Sequence, residues 1–534
     1  MPGYKGALKH LLWQILRSFD PAPHRIGRSL MLRGLGLVYL VAITSWWTQA
    51  ALLVGENGLV PASRLLEFVG GRLAEEGKAA FPALPTLFWF IGASDFALHA
   101  VCGVGCVLAT LVVARRFTGP ALAGLWAIYL SLVNTGGVFM SFQWDILLLE
   151  AGFLALFLCP WGANMSWRNP PPLTPVNRVA LVFAWFLIAK LMFLSGWVKL
   201  AWASPASPEW WPDGTAMTYH YMTQPLPTWM AWWMHQLPAG FHKLSLVPMH
   251  LVEIVLPFAV LFGRWGRLVA AAGFAGLMGL ILLTGNYTYF NWLAIVLCLP
   301  LVQDRLWPGR LRRMLRIDSR DGKEGRKGVT AFRYALAGPP LLALALLNLH
   351  TVLRDLHAAP KPLLKRDLAP HWLDRFAGAL SPFHLASGYG LFRTMKTERP
   401  EIVVEGSADG TGWLAYDFAW KVDGIDERPR FVAPHQPRVA WQLWFAALEG
   451  RFDYRSRNAA WFEALVWKLL RGEPGVKRLL RHDPFPDSPP RLVRARLMRY
   501  EFTTLEERRA SGDWWKRVVI GEYLPEVALP ATKP

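Results

Sequence analysis

Charges within apolar sequence are the first residues here with chemical meaning, because an ionisable group at membrane depth is costly and persists where it is paired or used. Lys190 and Glu253 sit midway along two long apolar runs, 179–200 and 244–262. Each lies about ten residues from the same end of its run, or roughly 15 Å at the helical rise per residue. That shared depth pairs Lys190 with Glu253, as an ion pair that locks two helices or as part of a site.

A second group gathers nearer that end: Asp145, Glu150, Lys199, Asn286 and Tyr287, with Asn291 close behind. Above them runs loop 201–243, dense in aromatic residues and histidine, including Trp210, Trp211, Trp229, Trp232, Trp233, His235 and His242. Tryptophans at such a place form an interfacial belt. Tyr219, His220, Tyr221 and Gln224 suit the wall of an outward-opening polar pocket. The pocket would join Asp145, Glu150, Lys190, Lys199, Glu253, Asn286 and Asn291. Were it catalytic, a desolvated Lys199 or a buried Glu150 would serve as base, with His220 beside them.

Asp95, His99, Cys102 and Cys106 share one helical face, a set whose types suit a soft metal. No paired motif supports it elsewhere, so helix packing is the reading taken and no metal or cofactor is expected. The four cysteines all lie in apolar stretches, leaving none for a disulfide framework or a CxxC motif. Phosphate-loop, dinucleotide, HExxH and GxSxG signatures are absent, so the common nucleotide-dependent and hydrolytic chemistries have no motif here.

The elements that must hold these residues follow from composition. Of 534 residues, 53% are hydrophobic and 18% charged, with 28 Trp and 30 Phe, and mean hydropathy is +0.24. A soluble chain carries roughly 25% charged residues, so a polytopic membrane protein fits better than a cytosolic enzyme or a disordered chain. Runs that cross the bilayer as helix need about 20 residues. Nine candidates appear, at 34–54, 95–114, 121–140, 146–160, 179–200, 244–262, 268–283, 289–302 and 331–353. The fourth and eighth are short. The first has no cleavage site and is read as an anchor rather than a removed signal.

Net charge is +19, and its distribution orients the chain. With the N-terminus cytoplasmic, the inside segments hold 22 Lys and Arg: Lys5, Lys9, Arg17, Arg25, Arg28 and Arg33; Arg115 and Arg116; Arg168 and Arg178; Arg264 and Arg267; and Arg305, Arg310, Arg312, Arg313, Arg316, Arg320, Lys323, Arg326, Lys327 and Arg333. The outside loops hold four, Arg64, Arg72, Lys78 and Lys243. Positive charge marks the cytoplasmic side. The charge therefore orients the chain and does not indicate nucleic acid.

The expected architecture is a transmembrane helical domain, 1–353, followed by a β-rich extracytoplasmic domain with helical insertions, 354–534. The latter would lie in the periplasm beyond a bacterial inner membrane, or in the lumen of a eukaryotic reticulum. In the tail, 401–405 and 413–420 alternate as strands around Asp409-Gly410, 491–503 and 515–523 form further strands, and 459–471 has helical spacing. The tail balances 29 Lys and Arg against 23 Asp and Glu, an ordinary soluble surface.

Several long segments resemble the lipase maturation factor family: SFQWDILLLEAGFLALFLCPW (141–161), TYHYMTQPLPTWMAWWMHQLP (218–238), FHKLS (241–245), LTGNYTYFN (283–291), RFVAPHQPRVAWQLWFAAL (430–448), RHDPFPDSPPRLVRARLMRYEF (481–502) and GEYLP (521–525). The resemblance implies a membrane-anchored, chaperone-like factor that assists folding or assembly of an exported client such as a secreted lipase, without catalysis of its own. Animal members are endoplasmic reticulum proteins whose soluble part faces the lumen. The tail lacks cysteine, which excludes thiol exchange there, and the composition suggests a bacterial member. Client recognition is expected at His435, Gln436 and Arg438, with Trp441 and Trp444 on the helix beginning there. A fainter similarity to vitamin K-dependent carboxylase-like membrane proteins covers Lys199-Leu200, Trp211, Gly214 and Tyr219 or Tyr221, and would put Lys199 at the position of their catalytic base. It implies the alternative, a membrane-embedded enzyme or a lipid- or quinone-binding protein.

Overall fold

The computed structural model describes residues 24–162, 170–202, 210–315 and 327–530. Lys5, Lys9, Arg17, Arg168, Arg316, Arg320, Lys323 and Arg326 lie outside the described residues, as do the side chains of Lys327 and Arg333 and residues 203–209 of the aromatic loop.

All nine apolar runs are helical. In chain order the helices are α1 (Arg25–Val54), the amphipathic α2 (Ala62–Glu75), α3 (Asp95–Val113), α4 (Thr118–Thr135), α5 (Gln143–Leu158) and α6 (Pro175–Ala201). The aromatic loop supplies α7 (Ala216–Thr223) and α8 (Trp229–His235). Next come α9 (Ala239–Ala259), α10 (Gly263–Thr284), α11 (Phe290–Cys298) and α12 (Lys327–His357). Among the described residues six helices are long and apolar enough to cross a membrane: α1, α3, α6, α9, α10 and the Ala335–His357 part of α12. The chain is thus a multi-pass helical membrane protein. The shorter α5 and α11 are surrounded by protein, with most of their side chains buried, so hydrocarbon thickness does not set their length.

Local chemistry explains several helix ends. Thr174 and Asn177 form a reciprocal capping box in front of α6, with Pro175 at the first helical position. Asp304, from the segment after α11, accepts hydrogen bonds from the backbone N–H groups of Arg25 (3.1 Å) and Ile26 (2.8 Å) at the start of α1. At the same end of the bundle, Arg28 donates to Asn177 Oδ1 (3.1 Å) and Arg115 to Ser29 Oγ (2.6 Å). The starts of α1 and α6 and the end of α3 therefore lie together.

Beyond α12 and α13 (His371–Leu380), an antiparallel sheet runs in the order β2-β1-β5-β6. Its strands are β1 (Arg399–Ser407), β2 (Leu414–Ala415), β5 (Leu492–Phe502) and β6 (Trp515–Ala528), while β3 (Asp417–Phe418) and β4 (Leu480–His482) form a small separate ladder. The β1–β5 register runs from Arg399 opposite Tyr500 to Ser407 opposite Leu492. Alternation sends the two faces of this sheet to different covers. Ile402, Val404, Val493 and Ala495 join α14 (Arg438–Ala447), α15 (Ala459–Leu470) and the membrane helices in one continuous core. Val403, Met498, Tyr500 and Phe502 pack against Tyr221 and Trp232 of the aromatic loop. This corrects the belt reading: Trp210 and Trp232 are buried inside the protein, while Trp211 and Trp233 remain exposed.

Candidate functional site

The expected single polar pocket is resolved into three buried clusters, each built by different elements. The first is a seam between the membrane helices and the tail. Arg438, at the start of α14, is fully buried and forms an ion pair with Asp145 of α5 (Nη1–Oδ2 3.0 Å, Nη2–Oδ1 3.2 Å). Tyr129 and Tyr289 donate to the same carboxylate at 2.6 and 2.5 Å, and Arg438 also donates to the Phe139 carbonyl. Every charge in the seam is thus answered, as burial demands. Gln436 accepts from Trp144 Nε1 (2.8 Å), and its own N–H donates to Ser45 (2.9 Å). Gln49 receives the Arg438 N–H (2.9 Å) and donates to the Gln436 carbonyl (2.9 Å). Asn286, in the turn between α10 and α11, accepts from the N–H groups of Val432 (2.6 Å) and Ala433 (3.0 Å) and donates to the Arg430 carbonyl (2.8 Å).

These contacts correct the expected recognition face. Gln436, Arg438 and Trp441 are buried, with Trp441 edge-on to Trp144 at 4.9 Å, so no client touches them without opening the seam. His435 and Trp444 are half-buried, bonded to Ser45 (3.0 Å) and to the Thr223 carbonyl (3.2 Å). Burial lowers the His435 pKa, with Arg438 adding to the effect.

The second cluster centres on Glu150. One oxygen accepts from Lys190 (2.6 Å); the other accepts from the Tyr389 hydroxyl (2.6 Å) and the Ser387 N–H (3.2 Å). Lys190 also donates to Asn348 of α12 (2.6 Å). Glu253 instead pairs with Lys199, at 2.8 and 2.7 Å to its two oxygens. The expected Lys190–Glu253 pair is therefore wrong. Equal depth along two helices does not say which of their faces turn toward each other. Lys190 faces α5, whereas Lys199, 2.5 turns further along α6, faces α9.

The third cluster holds that Lys199–Glu253 pair at the end of a cavity of about 670 Å³. Glu253 lies in a π-helical turn, Leu251–Val255, between Pro248 and Pro257 of α9. Such turns occur often at functional sites. Gly196 lets α6 and α9 approach closely, since a Cβ there would lie 2.8 Å from that of Glu253. Lys199 spends its three donors on the two Glu253 oxygens and the Ser195 carbonyl (3.0 Å), which leaves it poorly placed to act as a free base. His220 also lines the cavity; burial, and then Lys199, lower its pKa to about 4. Tyr221 joins it in the wall, whereas Tyr219, Gln224, Asn286 and Asn291 do not. Gln224 accepts from Tyr287 (2.7 Å), and Asn291 donates to the Met278 carbonyl (2.8 Å).

Residues that the sequence reading missed include Ser45 and Gln49, polar groups at the end of α1, and a buried charge network of Arg399, Glu401, Lys421 and Asp423. Arg399 lies 2.5 Å from Glu401, and Lys421 lies 3.3 Å from Glu401 and 2.6 Å from Asp423. Arg399 also donates to the Met222 (3.0 Å) and Pro225 (2.8 Å) carbonyls of the aromatic loop. The alternating charges of β1 were the available signal. Among the described residues no group of three or more His, Cys, Asp or Glu could hold a metal. His99 instead accepts from Trp47 (2.7 Å), and Asp95 accepts the Glu56 N–H (2.9 Å).

Residues 26–309 match the family model described as the lipase maturation factor transmembrane domain, and residues 385–525 match the lipase maturation factor C-terminal domain. Lipase maturation factor 2 of Gallus gallus is 33% identical over 95% of this chain and 82% of its own length. Lipase maturation factor 2 of Homo sapiens is 32% identical, over 95% and 83% respectively. Lipase maturation factor 1 of Homo sapiens is 31% identical, over 95% and 88%. No solved structure matches.

Proposed function

The chain belongs to the lipase maturation factor family, and from that premise we propose that it is a membrane-anchored maturation factor assisting the folding or assembly of an exported lipase. The observation that carries this reading is the match of both parts of the chain to the two family models, with the seam at Asp145–Arg438 holding those parts as one body.

Residues 1–353 form the membrane unit in this proposal, and 354–534 the extracytoplasmic one. All nine apolar helices cross, with the N-terminus cytoplasmic. Two features support that arrangement: the bias of Lys and Arg between alternate loops, and the gathering of Arg25, Arg28, Arg115 and Asp304 at the end of the bundle opposite the seam. In a bacterium the membrane is the inner one and the tail is periplasmic.

With Gln436, Arg438 and Trp441 occupied in the seam, the client-facing surface moves to β6. This strand ends the sheet, and Val518, Val519 and Ile520 stand about half exposed along it (50%, 56% and 41%). An unpaired edge strand is a template for strand addition, and here its apolar stretch, Val518–Ile520, lies between exposed Lys516 and Arg517 on one side and Glu522 on the other. An extended segment of a partly folded client fits it. A photo-reactive residue replacing Val519 is expected to crosslink a co-expressed secreted lipase, and one replacing Asp487 is not. Equal crosslinking at both positions, or none at Val519, would remove β6 as the client surface.

A further inference from the structure

The cavity beside Lys199 is the second feature with the shape of a working site, and it stands independently of the maturation reading. Its volume falls within the roughly 300–1,000 Å³ typical of small-molecule sites, and its wall is mainly apolar, with the charged Lys199 and Glu253 and the buried His220 among its polar members. Exposed Leu244 and Val247 of α9 and Leu280 and Leu283 of α10 line its rim. Both helices are apolar enough to span a membrane, so this rim borders hydrocarbon rather than water. Met217, Met230, Met234, Met249 and Met278 lie in the wall, and unbranched thioethers adapt to a flexible occupant.

These polar members narrow the chemistry. Lys199 has no donor left, and its charge is matched by Glu253, whose two carboxylate oxygens keep unused acceptor capacity. His220 is 92% buried, and its Nδ1 has no hydrogen-bond partner. An anionic head would meet the Glu253 carboxylate without a spare cation to receive it. A hydroxyl donor meets an acceptor directly. We propose that this cavity binds an uncharged acyl lipid, entered sideways from the bilayer, with its hydroxyl head held by Glu253 and His220 and its chain lying between α9 and α10.

The test uses the full-length protein in detergent micelles with radiolabelled monooleoylglycerol. One saturable site per chain is expected, with oleate and oleoyl-lysophosphatidate competing at least about tenfold more weakly. Leu277→Trp, which fills the cavity from α10, is expected to weaken binding about tenfold or more, and His220→Phe, which keeps the ring but removes its nitrogens, several-fold. A diazirine on the acyl chain of the same probe reads the site in the unsubstituted protein, so the answer survives a failure of Leu277→Trp to fold. Crosslinks to α9 and α10 lining residues support the proposal. Non-saturable uptake, equal binding of the two anionic lipids, or crosslinks confined to other helices would overturn it. None of these results bears on lipase secretion.

Discussion

At the scale of single residues, the chain separates charges that hold its parts together from charges that face a cavity. Arg438 belongs to the first kind: it is fully buried against Asp145, with Tyr129 and Tyr289 completing the carboxylate's hydrogen bonds. Removing one partner of a buried ion pair strands the other, at a cost of about 3–5 kcal/mol. Arg438→Ala is therefore expected to lower stability by that order and to make the linker between α12 and β1 more sensitive to limited proteolysis. A melting curve and digestion pattern like those of the unsubstituted protein would refute the locking role of the seam. The sequence made Asp145, Glu150, Lys190, Lys199 and Glu253 visible as a set, because charges in apolar runs stand out. It could not pair them, since which helix faces meet is decided by packing, and Gly196 shows how one small residue settles such an approach.

Whole elements add what residues alone do not explain. The aromatic loop is legible as dense in Trp, Tyr and His, but that density alone does not tell a membrane belt from a protein interior. In the fold, α7 and α8 cover one face of the sheet; His235 packs against Phe502 of that sheet, while His220 is buried between Trp210, Tyr221 and Phe392 at the cavity. Burial lowers both pKa values from 6.5 to about 4, with Lys199 adding at His220 and His242 at His235. A histidine whose folded pKa lies below its unfolded value stabilises fully above the unfolded one and loses that contribution as pH falls. Stability is thus expected to hold above pH 6.5 and to decline toward pH 4, by up to about 1.4 kcal/mol per pH unit for each histidine. Melting temperatures measured from pH 7.5 to 4.5 check this, and His220→Phe should flatten part of the slope. A flat profile in the unsubstituted protein would contradict the burial of these rings. The strands were more legible than the loop. β5 alternates between buried and half-buried residues along nearly its whole length, because a sheet covered differently on two faces imprints a period of two, and Asp409-Gly410 marks the turn before β2, whereas β6 shows no such period in its exposed stretch.

For the molecule as a whole, all nine apolar runs read from hydropathy are helical, while among the described residues six helices satisfy length and composition as spans and α5 and α11 are short helices enclosed by protein. Sidedness is a property of the assembled chain and is tested as such. Cys102, Cys159 and Cys298 are buried and Cys106 is half-buried in α3, so an added thiol at an exposed position reports cleanly. With intact cells and a membrane-impermeant maleimide, Thr411→Cys is expected to label and Arg312→Cys to label only after the membrane is opened. The reverse pattern would invert the proposed orientation.

Whether this chain matures an exported lipase is read from the activity of a secreted lipase per unit of lipase synthesised, with and without the chain in the same membrane. A several-fold rise is expected when the chain is present, with a return to background for Val519→Lys while the chain's own melting stays unchanged. Secreted specific activity that is indifferent to the chain would contradict it.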